Sequence, residues 1–143
     1  MQVSPYLLFN GNCEEAFTFY EKLLGGKIDA LMKHGDSPVP SKEADGWGDK
    51  IMHASLTVGD WSLMASDAPP GYYSTPQGFS VSLTVGTPAD AKRIFDALAK
   101  GGNVKMPLGK TFWSDHFGML VDRFGIPWMI NVVPEAGWKP AQG

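Results

Sequence analysis

Apolar residues recur at helical spacing in two segments of this 143-residue chain. They fall three or four positions apart from about Cys13 to Leu24 and again from about Pro88 to Lys100, which places them on one face of a helix. Each segment ends at two glycines, Gly25-Gly26 and Gly101-Gly102, which can adopt the left-handed conformation that stops a helix. The pattern predicts two amphipathic helices with the apolar positions Ala16, Phe19, Tyr20, Leu23 and Leu24, and Ala91, Ile94, Phe95 and Leu98.

Polar residues predict where each helix begins. Asn12 stands before the first helix with Glu15 three residues later, an arrangement similar to a capping box. Thr87 stands before the second, and Pro88 suits the first helical position because its φ is fixed. Whichever of the stop glycines Gly26 and Gly102 adopts a positive φ is expected to resist substitution. A Cβ in that conformation costs on the order of 1 kcal/mol.

Most of the remaining chain consists of β-prone runs bounded by turn residues. One run precedes each helix and another follows it. Gly59-Asp60 separates two further runs as the turn of a hairpin, and the segment from Asp122 to Gly125 separates the last two. The predicted strands are Tyr6 to Phe9, Lys27 to Lys33, Ile51 to Val58, Trp61 to Ala65, Phe79 to Val85, Asn103 to Met106, Met119 to Val121 and Trp128 to Val133.

These elements occur twice in the same order. A shift of 76 residues places Gly25-Gly26 on Gly101-Gly102 and Leu7 on Leu83, and a long internal period indicates a duplicated architecture. Each half is predicted to be a βαβββ module whose single helix covers one face of its sheet, so the other face has to be buried or to hold a ligand. We therefore predict an α+β fold: one domain, residues 1–143, with modules at about 1–68 and 78–134 whose curved mixed sheets surround a shared cleft.

Composition and charge exclude several classes of protein. The net charge is −3, and Lys and Arg are scattered along the chain, which argues against nucleic acid as a partner. No stretch approaches the roughly 20 apolar residues that span a membrane, and the first residues do not resemble a signal peptide. The single cysteine is typical of a protein from a reducing cytoplasm.

Four blocks of the sequence carry a family resemblance: Tyr6 to Ala16 with Phe19-Tyr20 and Leu24-Gly25-Gly26, Leu63 to Asp67, Trp113 to Gly118, and Asp122 to Gly125 with Trp128. Together they resemble the PhnB-like branch of the vicinal oxygen chelate superfamily. That superfamily includes glyoxalase I, fosfomycin resistance proteins, bleomycin-binding proteins and extradiol dioxygenases. The resemblance covers nearly the whole chain and implies paired βαβββ modules, commonly in a homodimer.

The resemblance also implies where a metal would be held. Enzymes of the superfamily bind a divalent metal through His and Glu side chains on the first and last strands of each module. Aligned on Phe19-Tyr20, these positions fall at Pro5, between Ser4 and Tyr6, near Met64, near Ser80, and near Met129, or Asn131 if the strand register slips. None is His, Asp or Glu, and methionine suits soft Cu(I) rather than Zn, Ni, Fe or Mn. We therefore expect neither a cofactor nor the metal that is usual in the superfamily.

Two of the three histidines and the one cysteine remain as titratable candidates for chemistry. Strand alternation places His53 on the face of Ile51 and Ser55, where it is either a hydrogen-bonded structural residue or a base in the cleft. Cys13 stands at a helix start, where it is either a thiolate or a small buried apolar residue.

Aromatic and titratable residues also concentrate before the last hairpin. His116 follows Asp115 in a segment that contains Trp113 and Phe117. The segment is either the rim of the cleft or an aromatic plug that closes the core, and both interpretations stay open.

The predicted function is the binding, with or without transformation, of a small apolar or aromatic molecule. Two alternatives are a metal-dependent lyase, isomerase or dioxygenase, and a resistance protein that sequesters a drug without chemistry. His53 and His116 are the candidate acid/base groups. The candidate ligand-binding residues are Tyr6, Met64, Ser80, Trp113, Trp128 and Met129.

Overall fold

The computed structural model describes residues 1–37, 46–114 and 116–132. Asp115 and the predicted ends of the last strand and of the second module, at 133 and 134, lie outside the described residues. The chain divides into two compact units, Met1–Pro76 and Gln77–Gly143.

The first unit is a βαβββ module. Its elements are β1 (Tyr6–Phe9), α1 (Cys13–Leu24), β2 (Lys27–Lys33), a 3-10 turn (His34–Asp36), β3 (Ile51–Val58) and β4 (Trp61–Asp67). The four strands form one sheet in the order β1-β4-β3-β2. β1 runs parallel to β4, and the other neighbours are antiparallel.

The second unit repeats this topology. Its elements are β5 (Val81–Val85), α2 (Pro88–Ala99), β6 (Asn103–Gly109), β7 (Phe117–Val121) and β8 (Pro127–Val132). The sheet order is β5-β8-β7-β6, again with the first and last strands parallel. The predicted α+β fold with two βαβββ modules and mixed sheets is therefore confirmed. The shift of 76 residues maps β2 onto β6 and then fails, because the connection to the next strand is shorter in the second unit.

The end of β6 differs from the sequence prediction. β6 continues from Met106 through Pro107 to Gly109, where Gly109 is in register with Phe117. Proline lacks the N–H that a central strand would use, but β6 lies at the edge of its sheet, where one side of the strand needs no partner. Proline therefore does not end this strand.

The two helices begin in different ways. Thr87 caps α2 as predicted, because its hydroxyl accepts a hydrogen bond from the Asp90 N–H. The predicted capping by Asn12 is wrong, because its side chain makes no cap hydrogen bond. Instead, Oδ1 of Asp67, at the end of β4, accepts hydrogen bonds from the Gly11 and Cys13 N–H groups at 2.9 and 3.0 Å. A carboxylate from a distant strand thus satisfies the start of α1.

The prediction for the stop glycines named the wrong member of each pair. The left-handed residues are Gly25 and Gly101, with φ of 67° and 75°, whereas Gly26 and Gly102 are not left-handed. Gly26 is constrained by packing instead, since a Cβ there would lie 2.7 Å from the Thr57 carbonyl oxygen. Its missing side chain allows the end of α1 to approach β3 closely.

Each unit has its own core between the helix and one face of the sheet. In the first unit α1 buries Cys13, Ala16, Phe17 and Tyr20, so Phe17 joins the predicted apolar face while Phe19, Leu23 and Leu24 are half-buried. In the second unit α2 buries the predicted set, Ala91, Ile94, Phe95 and Leu98. Within the described residues, neither helix has the length and apolar character needed to cross a membrane.

Candidate functional site

The first unit leaves one face of its sheet uncovered by its helix. Along β1, Leu7 and Phe9 are buried against α1, whereas Tyr6 and Leu8 alternate to the opposite side and are 46% and 44% exposed. Met64 lies in direct register with Tyr6, and Ser55 in register with Met64. Because residues in register share a face, Tyr6, Met64 and Ser55 form one row. We call this side of the sheet the first open face.

Tyr6 and His53 form the polar centre of the first open face. The Tyr6 hydroxyl oxygen lies 3.3 Å from Nδ1 of His53. The two rings are stacked, with centroids 5.9 Å apart and planes 28° apart. If Nδ1 accepts a hydrogen bond from the Tyr6 hydroxyl, Nε2 carries the ring proton and is a donor toward a ligand. In the other tautomer Nδ1 donates to the Tyr6 oxygen and Nε2 is an acceptor. In either tautomer the pair offers a hydrogen-bonding group beside an apolar surface.

A β-bulge in β3 determines which residues share a sheet face with His53. Along β2 and β3, Met32 pairs with His53 but the next residue, Lys33, pairs with Ile51, so β3 contains one extra residue at Met52. An extra residue reverses the alternation of the strand. Ile51 is fully buried while His53 is half-buried, so the expectation that Ile51 shares the face of His53 is wrong.

The second unit also has an uncovered sheet face, which we call the second open face. Met129 of β8 is in register with Ser82 on one side and with Met119 on the other. Met119 is in turn in register with Met106 of β6. Ser80 lies two residues before Ser82 and is half-buried.

An exposed aromatic cluster adjoins this second face. Trp113 packs edge-on against Phe112 and against Phe117, with ring centroids 4.7 and 5.4 Å apart. Phe117 is in register with Asn131 on the second open face. Phe112 is 96% exposed and Trp113 is 53% exposed. Rings this exposed do not close a core, so the aromatic-plug interpretation is wrong for these two residues.

Trp128 does not lie on an open face. It is 1% exposed and its indole Nε1 donates a hydrogen bond to Oδ2 of Asp122 at 2.8 Å. It alternates with Met129 along β8 and therefore faces the helix side with Ile130, which is fully buried. Including Trp128 among the ligand-binding candidates is contradicted by this burial.

His116 is also separated from the second open face. It precedes Phe117 and lies in a groove of about 570 Å³ between α2 and β6. The backbone of His116 is held by Ser114, whose hydroxyl oxygen accepts a hydrogen bond from the His116 N–H. His116 is thus on the helix side of its sheet, opposite Phe117. The groove is lined by Pro88, Ala89, Lys92, Phe95, Asp96, Pro107, Leu108 and His116.

Cys13 is a buried apolar residue rather than a nucleophile. Its side chain is fully buried at the start of α1. Burial, and then the nearby carboxylates of Asp67 and Glu14, raise the pKa of the thiol far above its ordinary value. A thiol held protonated in this way is inert at neutral pH.

The donors on the open faces do not fit the divalent metal of the superfamily. Met64 pairs with Tyr6, so Tyr6 rather than Pro5 shares the face of Met64. The side chains at the implied positions then offer a phenol, a thioether or a hydroxyl, where such metals require imidazole or carboxylate. Among residues 1–37, 46–114 and 116–132, no group of three or more His, Cys, Asp or Glu side chains is placed to hold a metal ion.

Sequence reasoning missed two buried carboxylates that organise the modules. Asp67 accepts hydrogen bonds from three backbone N–H groups, those of Gly11, Cys13 and Ile51. Asp122 accepts from the N–H groups of Phe124 and Ile126 and from the Trp128 indole. A turn sequence beginning at Asp122 was a local signal for the second. No local sequence signal marked Asp67, because its hydrogen-bond partners lie 16 or more residues away in the chain.

Comparison with known proteins relates this geometry to a family. The family described as the Glyoxalase/Bleomycin resistance protein/Dioxygenase superfamily matches residues 2–130. Protein YjdN of Escherichia coli (strain K12) is 35% identical over 143 residues, which cover 94% of this chain and 97% of that protein.

Two solved structures are similar over most of their length. Protein PA1353 from Pseudomonas aeruginosa superposes with a TM-score of 0.85 at 54% identity, covering 92% of this chain and 97% of that one. A structure described as a putative 3-demethylubiquinone-9 3-methyltransferase, PhnB protein, from Bacillus cereus has a TM-score of 0.77 at 29% identity, covering 93% and 100%. The second of these supports placement in the PhnB-like branch.

Proposed function

The chain belongs to the Glyoxalase/Bleomycin resistance protein/Dioxygenase superfamily, and we propose that it binds a small, largely apolar or aromatic molecule on the first open face. The observation that carries the proposal is the contact between the Tyr6 hydroxyl and the His53 imidazole beside Met64. Ligand sites of this kind combine apolar surface with a few polar groups that fix orientation.

The chemistry of this face supports the ligand class. Tyr6 and Leu8 expose aromatic and aliphatic surface, and the thioether of Met64 is polarisable and packs well against ring edges. The Tyr6–His53 pair can accept a hydrogen bond from a ligand hydroxyl, through Nε2 when Nδ1 carries the ring proton. His53 is the acid/base candidate on this face, whereas His116 lies on the helix side of the other unit.

The methyltransferase name of the Bacillus cereus relative is not carried over to this chain. A nucleotide-type methyl donor is commonly held by a glycine-rich turn between a strand and a helix. In the described residues, the two strand-to-helix turns contain one glycine each, Gly11 and Gly86.

Ser80, Trp113 and Met129 remain proposed ligand contacts of the second open face. We further propose that the protein is a cytoplasmic homodimer. The uncovered apolar sheet faces and the frequency of two-fold dimers among soluble proteins support the dimer. The single cysteine supports a reducing compartment.

A pair of matched ligands tests the site. 2-Naphthol donates a hydrogen bond through its hydroxyl, and 2-methoxynaphthalene has nearly the same shape without that donor. We expect 2-naphthol to bind about fivefold more tightly, which corresponds to a hydrogen bond worth about 1 kcal/mol. The preference is expected to disappear in Tyr6→Phe and His53→Phe and to persist in Tyr72→Phe, which removes a tyrosine hydroxyl outside the strands.

A second variant tests the location. Leu8→Glu places a charge on the first open face and is expected to weaken the binding of both ligands at least tenfold. If both ligands bind Leu8→Glu and wild type equally, the ligand binds elsewhere and the proposal is wrong.

A further inference from the structure

Three methionines form one continuous row on the second open face. Met106, Met119 and Met129 occupy adjacent strands, and each is in register with the next. In antiparallel strands, side chains directly opposite each other have Cβ atoms about 5 Å apart on the same face. Met119 therefore has a thioether neighbour on each side.

The row is reachable from solvent. Met106 is 38% exposed, and Met119 and Met129 are half-buried. A methionine side chain has three rotatable bonds, so the two outer thioethers can lean toward the central one. Three sulfur atoms can thus converge above Met119 without a change in the backbone.

The surrounding strands contain no imidazole, thiol or carboxylate donors. None of the residues of β5, β6, β7 or β8 is His, Cys, Asp or Glu. The nearby oxygens are neutral: the Ser82 hydroxyl, whose residue is in register with Met129, and Oδ1 of Asn131, which accepts a hydrogen bond from the Ser114 hydroxyl at 2.5 Å. Thioether-only sites select soft monovalent Cu(I) rather than Zn(II) or Mn(II), which need imidazole or oxygen ligands.

We propose that Met106, Met119 and Met129 bind one Cu(I) ion, for which Ag(I) is a redox-inert substitute. The proposal goes beyond the ligand binding proposed for the first open face, because it concerns the other unit and a different ligand. It shares only Met129 with the contacts proposed on the second open face. The thioether donors of this face, which do not fit a divalent metal, therefore fit a soft monovalent ion.

Carbon-13 labelling of the methionine methyl groups provides a direct test. The protein contains seven methionines, and each methyl resonance is assigned by substitution with leucine. On titration with Ag(I), the resonances of Met106, Met119 and Met129 are expected to shift together and to saturate at one ion per chain. Those of Met32, Met52 and Met64 are expected to stay in place. Shifts confined to the latter three, or spread evenly over all seven, would overturn the proposal.

Competition for Cu(I) with bathocuproine disulfonate under anaerobic conditions gives the affinity. Met119→Leu is expected to weaken Cu(I) binding at least tenfold, and the matched Met52→Leu is expected to leave it unchanged. Leucine replaces methionine at nearly equal volume, so the fold is retained.

The titration is repeated in Cys13→Ala to remove the one thiol. Equal affinities of Met119→Leu and wild type, or loss of binding in Cys13→Ala alone, would contradict the site. Naphthol binding to the first unit is measured in the same variants, so failure of either proposal is seen separately.

Discussion

At the scale of single residues, the buried carboxylate of Asp67 shows how one side chain joins distant parts of a module. It accepts hydrogen bonds from the N–H groups of Gly11 and Cys13 through Oδ1 and of Ile51 through Oδ2, all between 2.9 and 3.0 Å. These contacts connect the start of α1 to the start of β3. Since buried N–H groups left without acceptors are costly, this single carboxylate stabilises three segments together.

Asp67→Asn is expected to destabilise the protein by roughly 1–3 kcal/mol. The amide keeps one acceptor oxygen but presents an NH₂ group to an N–H donor, so at least one buried donor loses its partner. The measurement is the free energy of unfolding in urea. Asp60→Asn, in the exposed turn between β3 and β4, is the control and is expected to change stability by less than about 0.5 kcal/mol. Equal stabilities of the two variants would contradict the organising role of Asp67.

At the scale of secondary-structure elements, the second of the two glycines at the end of α1 is constrained by its close approach to β3, not by a left-handed backbone. Gly25 supplies the left-handed residue that stops α1, and its N–H bonds to the Glu21 carbonyl oxygen. The next residue, Gly26, lies against the backbone of β3. Gly25 is therefore required for its left-handed backbone and Gly26 for the close approach to β3. The sequence pattern does not distinguish these two roles.

Gly26→Ala is expected to destabilise the protein by about 1–3 kcal/mol, because the added Cβ meets the Thr57 carbonyl oxygen and overpacks the contact. Gly86→Ala is the matched control, since a Cβ there meets nothing within 4 Å and Gly86 does not have a positive φ. That control is expected to be neutral or to stabilise by up to about 1 kcal/mol. Thermal unfolding of both variants measures the difference, and a Gly26→Ala melting temperature equal to that of Gly86→Ala would refute the packing explanation.

At the scale of the whole molecule, the uncovered sheet faces carry large exposed side chains, among them Tyr6, Leu8 and Met106. Such surface is typical of ligand sites and subunit interfaces. The proposed homodimer uses this surface, and it couples assembly to ligand binding if the subunits complete the site together.

Sedimentation at micromolar concentration is expected to give twice the 15.5 kDa chain mass. Dilution that dissociates the dimer is expected to weaken 2-naphthol binding in parallel, because a lone subunit presents part of the site. A 15.5 kDa species that binds 2-naphthol with undiminished affinity would show that one chain forms its own site.

Much of the fold could be predicted because it depends on local patterns. The 3.6-residue period of the apolar positions in α1 and α2, and Thr87 as a cap, are properties of short segments. The duplication follows from the same patterns occurring twice, and the resemblance to the superfamily indicated the topology of each sheet.

The candidate site was less predictable because it depends on which face each residue occupies. His53 and His116 look equivalent in sequence, yet one lies on the first open face and the other on the helix side of the second sheet. A single extra residue at Met52 separates Ile51 from His53, and no local sequence signal marks that bulge. Trp128 looked like a ligand contact until its burial beside Asp122 was known.

The sequence by itself determined the helices and most strand positions, because these depend on residue identity and spacing. It also showed that the metal positions implied by the family resemblance are neither His nor carboxylate. The tertiary structure alone decided that Asp67 caps α1, that Tyr6 contacts His53, and that three methionines share one row. Those contacts join residues far apart in the chain, and strand register, set by pairing across the whole sheet, brings them together.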